Sequence, residues 1–220
     1  SEVERAVIEA ETLGEASTAP CPWVVEGPPQ PQPLQGREGL AFLGSYTHPP
    51  NRDAVEAFLQ ELWPQLLQRN PQRQLHLYGS GLGEELRQRW AAEPGVRVEG
   101  WVADTATVYD RYRICIAPLR AGAGLKGKVV GALARGVPQV LSPVAAEATG
   151  LRDGEEVLLA DSPAAWLRQV GRLLEDDELW QTVSATALRH ARHHYNRERG
   201  LARMAAALRQ LDLPVQEATR

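Results

Sequence analysis

Two lysines two residues apart, Lys126 and Lys128, stand just beyond a glycine-rich turn, Gly122-Ala123-Gly124. An apolar run, residues 113–117, leads into the turn, and a second apolar run follows a helix that stops at Gly136. Strand, glycine turn, helix and strand form the arrangement that aims free backbone N–H groups and a helix N-terminus at an anion. Gly122 and Gly124 permit positive φ and close backbone approach. The amides of Ala123, Gly124, Leu125 and Lys126 could then hold a diphosphate, with Lys128 reaching back to balance its charge and Lys126 assisting. The competing reading is a plain helix start bearing two solvated lysines. The stretch is not a Walker A loop, which needs G-x-x-x-x-G-K-[ST]. Gly122, Gly124 and Gly127 match G-x-G-x-x-G by letter, but they come late in the chain and no acid stands where one would hold ribose.

A second polar loop, residues 44–51, follows another apolar run. Gly44 and Ser45 offer an amide and a hydroxyl to a phosphate or sugar, and His48 adds hydrogen-bonding capacity. Asn51 is placed to cap the helix that follows, a role that needs no ligand. Glu147 is an acid beyond the end of a strand, suited either to sugar hydroxyls or to a solvated turn. His190, His193 and His194 share a helical face at i, i+3, i+4. Without obvious partner acids, they read as a solvated basic face rather than a zinc site. The chain has two cysteines, and Cys115 lies in an apolar strand, where it reads as a core thiol. No Ser/His/Asp or Cys/His arrangement stands out.

The elements that must position these groups alternate. Strands are expected at residues 40–43, 75–78, 96–99, 113–117, 137–141 and 156–159, with helices between them. The helix after Asn51 carries Ala54, Val55, Phe58, Leu59, Leu62, Trp63, Leu66 and Leu67 on one face, and Pro64 predicts a kink in it. Further helical segments are expected at residues 1–12, 83–91, 104–109, 145–149, 177–195 and 199–211, the first opened by Ser1 as cap, and another is expected to start at Asp161 or Ser162 with Pro163 in its first turn. Residues 23–25 read as a short strand, and the Pro/Gln-rich residues 28–33 as a linker. Short β-branched strands alternating with helices indicate an α/β fold, a Rossmann-like parallel sheet with helices on both faces. In such sheets ligands bind beyond the carboxyl ends of the strands, and the glycine-rich and polar loops lie there.

The chain has 220 residues, 43% hydrophobic and 24% charged, with a formal charge of -4. That is enough material for one sizeable core, and its acidity argues against a general nucleic-acid role. No stretch reads as a membrane span or signal peptide, so a cytoplasmic setting is expected. The opening residues read as the middle of a longer protein.

Five segments together resemble the C-terminal, nucleotide-sugar-binding domain of retaining GT-B glycosyltransferases of family 4 (glycosyltransferase group 1). They are FLGSYTHPPNRDAV (42–55), VEGWVAD (98–104), APLRAGAGLKGK (117–128), ALARGVP (132–138) and GLRDGEEVL (150–158). The resemblance implies residues 1–36 as the end of an N-terminal domain with its connector, 37–198 as the Rossmann-like donor-binding domain, and 199–220 as a C-terminal helix and tail. It implies sugar transfer from a nucleoside diphosphate sugar to a glycan or lipid-linked acceptor, with retention of configuration and no metal or other cofactor. Gly44, Ser45 and the amides of residues 122–125 would hold the diphosphate, and Lys128 would balance it. Trp101 and Val102 would meet the base, and Glu147 would face the donor sugar, so Lys128 and Glu147 are the expected catalytic pair. A missing N-terminal Rossmann-like half would supply most of the acceptor site, leaving this chain alone inactive or nearly so. The full-length protein would be cytoplasmic or peripheral to the inner membrane. Two departures from the family pattern stand at Gly131 and Ala123, where acids are common. They keep open a non-catalytic binding or scaffold domain, and a nucleotide-dependent epimerase or isomerase is a weaker third reading.

Overall fold

A computed structural model describes residues 2–15, 18, 23–28 and 30–210. The expected Ser1 cap, Cys21 and the chain beyond residue 210 lie outside the described residues. After α1 (Glu2–Glu11), six strands alternate with helices: β1 (Glu38–Leu43), β2 (Leu75–Tyr78), β3 (Val96–Gly100), β4 (Tyr112–Ala117), β5 (Gln139–Leu141) and β6 (Leu158–Leu159). They form one parallel sheet in the order β3-β2-β1-β4-β5-β6. The chain builds outward from β1 to β3, then crosses back to lay β4 on the other side of β1. The strand order therefore reverses between β1 and β4, and the loops leaving those two strands diverge and open a crevice.

The sheet forms where the sequence supplies apolar residues for both faces. Leu40 and Phe42 turn to one face, under the helices α2 (Pro49–Ala57), α3 (Trp63–Arg69) and α8 (Pro163–Glu175). Ala41 and Cys115 turn to the other, beside Val108 and Tyr109 of α5 (Ala106–Arg111) and Ala132 of α6 (Gly127–Ala134). The alternation is the period of two that a strand imposes. α4 (Glu84–Ala91), α7 (Pro143–Ala146), α9 (Asp177–His194) and α10 (Arg197–Gln210) complete the order. Pro64 has the predicted effect: a π turn, Phe58–Leu62, joins α2 to α3. Proline offers no N–H to the preceding turn, and the wider turn absorbs the gap. Trp63, at the head of α3, is fixed by its indole N–H donating to the Pro94 carbonyl at 2.8 Å.

Several expectations need correction. Residues 23–25 form no strand; Val25 makes one backbone bond, to the Tyr195 carbonyl at 2.9 Å. The strand expected from Val137 begins only at Gln139. The Val137 amide closes the end of α6 on the Ala132 carbonyl, with Gly136 at φ +65° bonding Leu133, and Pro138 has no N–H to give. The strand expected from Glu156 begins at Leu158, because the Glu156 amide closes a turn on Arg152. The helical turn expected at residues 145–149 lies at Pro143–Ala146, where Ser142 caps it by accepting from the Ala145 amide at 3.1 Å.

Candidate functional site

The crevice at the reversal point holds a cavity of about 500 Å³. Gly44 and Ser45 from the loop after β1, Trp101 and Val102 from the loop after β3, and Lys128 from α6 all line it. These five expected site residues come together although they are far apart in sequence. His48 does not join them. It is exposed, occupies the N-cap position of α2, and makes no side-chain cap.

Lys128 is the centre of the arrangement. Its Nζ donates to the Asn51 Oδ1 at 2.6 Å and stands 4.2 Å from the centroid of the Phe42 ring. Phe42 belongs to β1, so the cation rests on the end of a buried strand. Burial pushes its pKa down to about 7, since the charged form loses water that one amide oxygen and one ring face replace only in part. Asn51 is not the helix cap expected of it. Its Nδ2 donates to the Ser45 carbonyl at 2.7 Å while its oxygen accepts from Lys128. One amide thus ties the loop after β1 to α6. Gly44 is required here by close approach: a Cβ on it would lie 2.9 Å from both the Asn51 amide and the Lys128 Nζ.

The glycine turn itself lies beside the cavity rather than in its wall; from this stretch only Gly127, Lys128 and Gly131 line it. Lys126, at the N-cap of α6, places its Nζ 3.3 Å from the Gly122 carbonyl and 3.3 Å from Glu147 Oε2. Ala148, next to Glu147, has φ +62°, a left-handed backbone that costs a non-glycine residue energy and aims this loop. Leu125 is half-buried against the apolar cluster of α6, and Ala123 is exposed. Among the described residues, no backbone carbonyl accepts from the amides of residues 123–126. The side chain of Glu4, from α1, lies over this turn. A Cβ on Gly124 would be 2.7 Å from its carboxylate oxygen.

Sequence reasoning missed three parts of the wall. Trp23 lies over the start of α6, where a Cβ on Gly127 would be 2.8 Å from its ring. Tyr109 fills the space in front of Gly131, and its hydroxyl donates to the Lys128 carbonyl at 3.2 Å. The Asn51 bridge is the third. A side-chain-free residue in mid-helix was the one available signal for Tyr109; nothing in the sequence separated Asn51 the bridge from Asn51 the cap. The three histidines stay apart from the cavity. His190 bonds the Thr149 carbonyl at 3.2 Å and stacks 4.3 Å from His194. No group of His, Cys, Asp and Glu among the described residues could hold a metal ion.

Comparisons with known proteins agree with this geometry. A family description, "Glycosyl transferases group 1", matches residues 37–176. An uncharacterized 44.6 kDa protein of the cps region of Klebsiella pneumoniae is 24% identical over 138 residues, 60% of this chain and 36% of that protein. The crystal structure of TarM superposes with a TM-score of 0.74 at 13% identity, over 94% of this chain and 42% of that one. Sucrose-phosphate synthase from Thermosynechococcus elongatus gives 0.71 at 18%, over 96% of this chain and 57% of that one. The pneumococcal O-GlcNAc transferase GtfA, solved with UDP and GlcNAc, gives 0.70 at 16%, over 96% and 44%. The chain therefore spans about half the length of these structures, or less, and its fold is that of one half of a GT-B molecule. By its five segments, its reversed parallel sheet and the family match over most of its length, the chain belongs to the glycosyl transferases of group 1.

Proposed function

We propose that this chain is the donor-binding half of a glycosyltransferase that moves a sugar from a nucleoside diphosphate sugar to a glycan or lipid-linked acceptor with retention of configuration. The observation that carries the reading is Lys128. It is a largely buried cation lining the cavity at the reversal point, held by an amide oxygen and no carboxylate. A phosphate entering there meets a charge that is positioned and not neutralised. The Ser45 amide adds a donor in this reading, whereas the Gly44 amide expected to do so is spent on the Tyr78 carbonyl at 3.0 Å. As the bond between sugar and diphosphate breaks, negative charge grows on the leaving oxygen, and these groups stabilise it without a metal. Glu147, held by Lys126 at 3.3 Å, faces the donor sugar in this reading. A second Rossmann-like half, bound across the crevice, supplies the acceptor site. No described helix is long and apolar enough to cross a membrane.

Calorimetry with UDP, GDP, ADP and dTDP tests the reading on the wild-type chain and on Lys128→Met. Saturable binding of at least one of them, weakened by tenfold or more in the variant, is the expected result. No binding of any, or binding indifferent to Lys128, removes the donor site. A non-catalytic relative is favoured by one specific observation, the room at Gly131 taken up by Tyr109. Binding without sugar transfer, once the other half is present, would select it.

A further inference from the structure

The cavity is walled in an uneven way. Its aromatic side chains are Trp23, Trp101 and Tyr109, and its cation is Lys128; no carboxylate lines it among the described residues. Trp101 is 72% exposed at the end of β3, an apolar surface of that size left to water in the mouth of a pocket. It packs in no core cluster, so the fold does not explain it. Among the polar side chains of the wall, Asn51 and Ser45 are already engaged, and Ser80 and Thr105 offer only neutral hydroxyls. Both ends of the Asn51 amide are bonded within the site, and the Ser45 hydroxyl pairs with Thr47 at 2.8 Å. The Tyr109 hydroxyl is spent on a backbone carbonyl, and its ring occupies the room that a side chain at 131 would need, with a Cβ there only 3.0 Å away.

These features divide a ligand into parts. The phosphates have a charge to meet, and the base has an indole face on which to stack, an interaction open to every base. The ribose has no charged acceptor. A carboxylate bonding the sugar hydroxyls makes bonds about twice as strong as neutral ones, and its absence weakens the dependence of the pocket on the 2′-hydroxyl. Resting on the donor-site reading above, we propose that this cavity selects its ligand by stacking and phosphate charge and is indifferent to the 2′-hydroxyl. Ribo- and 2′-deoxyribonucleoside diphosphates bind alike, which admits deoxyribonucleotide-linked sugars as donors.

The test measures affinities of UDP, 2′-deoxy-UDP and inorganic pyrophosphate by calorimetry on the wild-type chain, with Trp101→Ala and Tyr109→Phe alongside. If UDP fails to bind, the GDP and 2′-deoxy-GDP pair, then the ADP pair, takes its place. The expected result is a ribo-to-deoxy ratio within about threefold. Trp101→Ala should lower both nucleotide affinities together by about tenfold and leave pyrophosphate unchanged. Its exposure means that the substitution leaves the core intact, which a melting curve verifies. Tyr109→Phe should leave the ribo-to-deoxy ratio unchanged. A ratio above threefold overturns the proposal while leaving the donor site standing, as does a Trp101 variant with wild-type affinity. A Tyr109→Phe variant that shifts the ratio beyond threefold overturns it too, by making that hydroxyl the reader of the sugar. If no nucleoside diphosphate binds at all, the donor-site reading fails and takes this one with it.

Discussion

The two ends of the sheet make an instructive pair. At the amino ends of the strands lies the larger hollow, about 610 Å³ and rich in arginine, against about 500 Å³ at the carboxyl ends. By size and charge the first looks the better anion site. Three of its four arginines, however, are committed, and the fourth, Arg111, lies exposed over the Tyr112 ring at 5.4 Å. Arg37 donates to the carbonyls of Pro33, Tyr109 and Tyr112 at 3.0, 2.6 and 3.1 Å, and lies 3.9 Å from Asp110. Arg73 bonds the Leu66 carbonyl and pairs with Glu175 at 2.7 Å, and Arg113 pairs with Asp177 at 2.6 Å. These guanidiniums knit the starts of strands to α5, α8 and α9. At the other end the single lysine of the wall has an amide and a ring for company. What separates the two hollows is a sheltered charge with no paired carboxylate, not volume or the number of cations.

Substitutions at both ends put this contrast at risk. The largest effect on binding is expected from Asn51→Asp, which keeps the shape but sets a carboxylate about where the amide oxygen now stands, 2.6 Å from Lys128. The lysine then becomes like the arginines below: paired and no longer available, with a negative charge facing any phosphate. Nucleoside diphosphate affinity should fall by about a hundredfold, roughly 2.7 kcal/mol, while Asn51→Ala costs far less; equal losses in the two would show that geometry rather than charge matters. At the amino end, Arg37→Met should cost about 3 kcal/mol of stability in urea unfolding, by stranding the two buried carbonyls of Tyr109 and Tyr112. The same variant should leave nucleotide affinity unchanged, and a shift in affinity would erase the distinction between the ends.

The pH dependence is a sharper and smaller test. Lys128 releases its proton at about 7 in the free protein, whereas a bound phosphate holds that proton to higher pH. Binding therefore takes up a proton above pH 7, and affinity should fall by up to about tenfold per pH unit there. In Lys128→Met the slope above pH 7 should vanish. Stability runs the other way: the unfolded chain holds the lysine proton more firmly, so unfolding free energy rises as pH climbs from about 7 toward the ordinary lysine value. The smallest effect is expected from Glu4→Ala. Removing a carboxylate that overlies the glycine turn should raise pyrophosphate affinity by about twofold, the scale of an exposed charge. A drop would mean that Glu4 supports the turn instead of shielding it.

How much of this was legible beforehand depended on the kind of interaction. Short apolar runs bounded by glycines are local signals, and they placed every strand of the sheet to within a few residues. The misplaced edges, at Val137 and Glu156, are where a cap or turn took an amide that a ladder also wanted. Gly44, Ser45, Trp101, Val102 and Lys128 were legible because loops after parallel strands converge by topology alone. The coupling of Asn51 to Lys128 and the filling of Gly131 by Tyr109 join residues 77 and 22 positions apart. No local pattern encodes such contacts; they arise only when β4 crosses back beside β1.

The two lysines on either side of Gly127 divide two tasks between them. Lys126 rivets the turn after β4 to the loop after β5, and a rivet can be reversed: exchanging Lys126 and Glu147 for each other would keep the wall in place with the charges swapped. Lys128 permits no such exchange, because its counter-charge has yet to arrive. An engineer who wished to retune the rigidity of this crevice without removing its one unpaired lysine would therefore work at positions 126 and 147 and leave 128 alone.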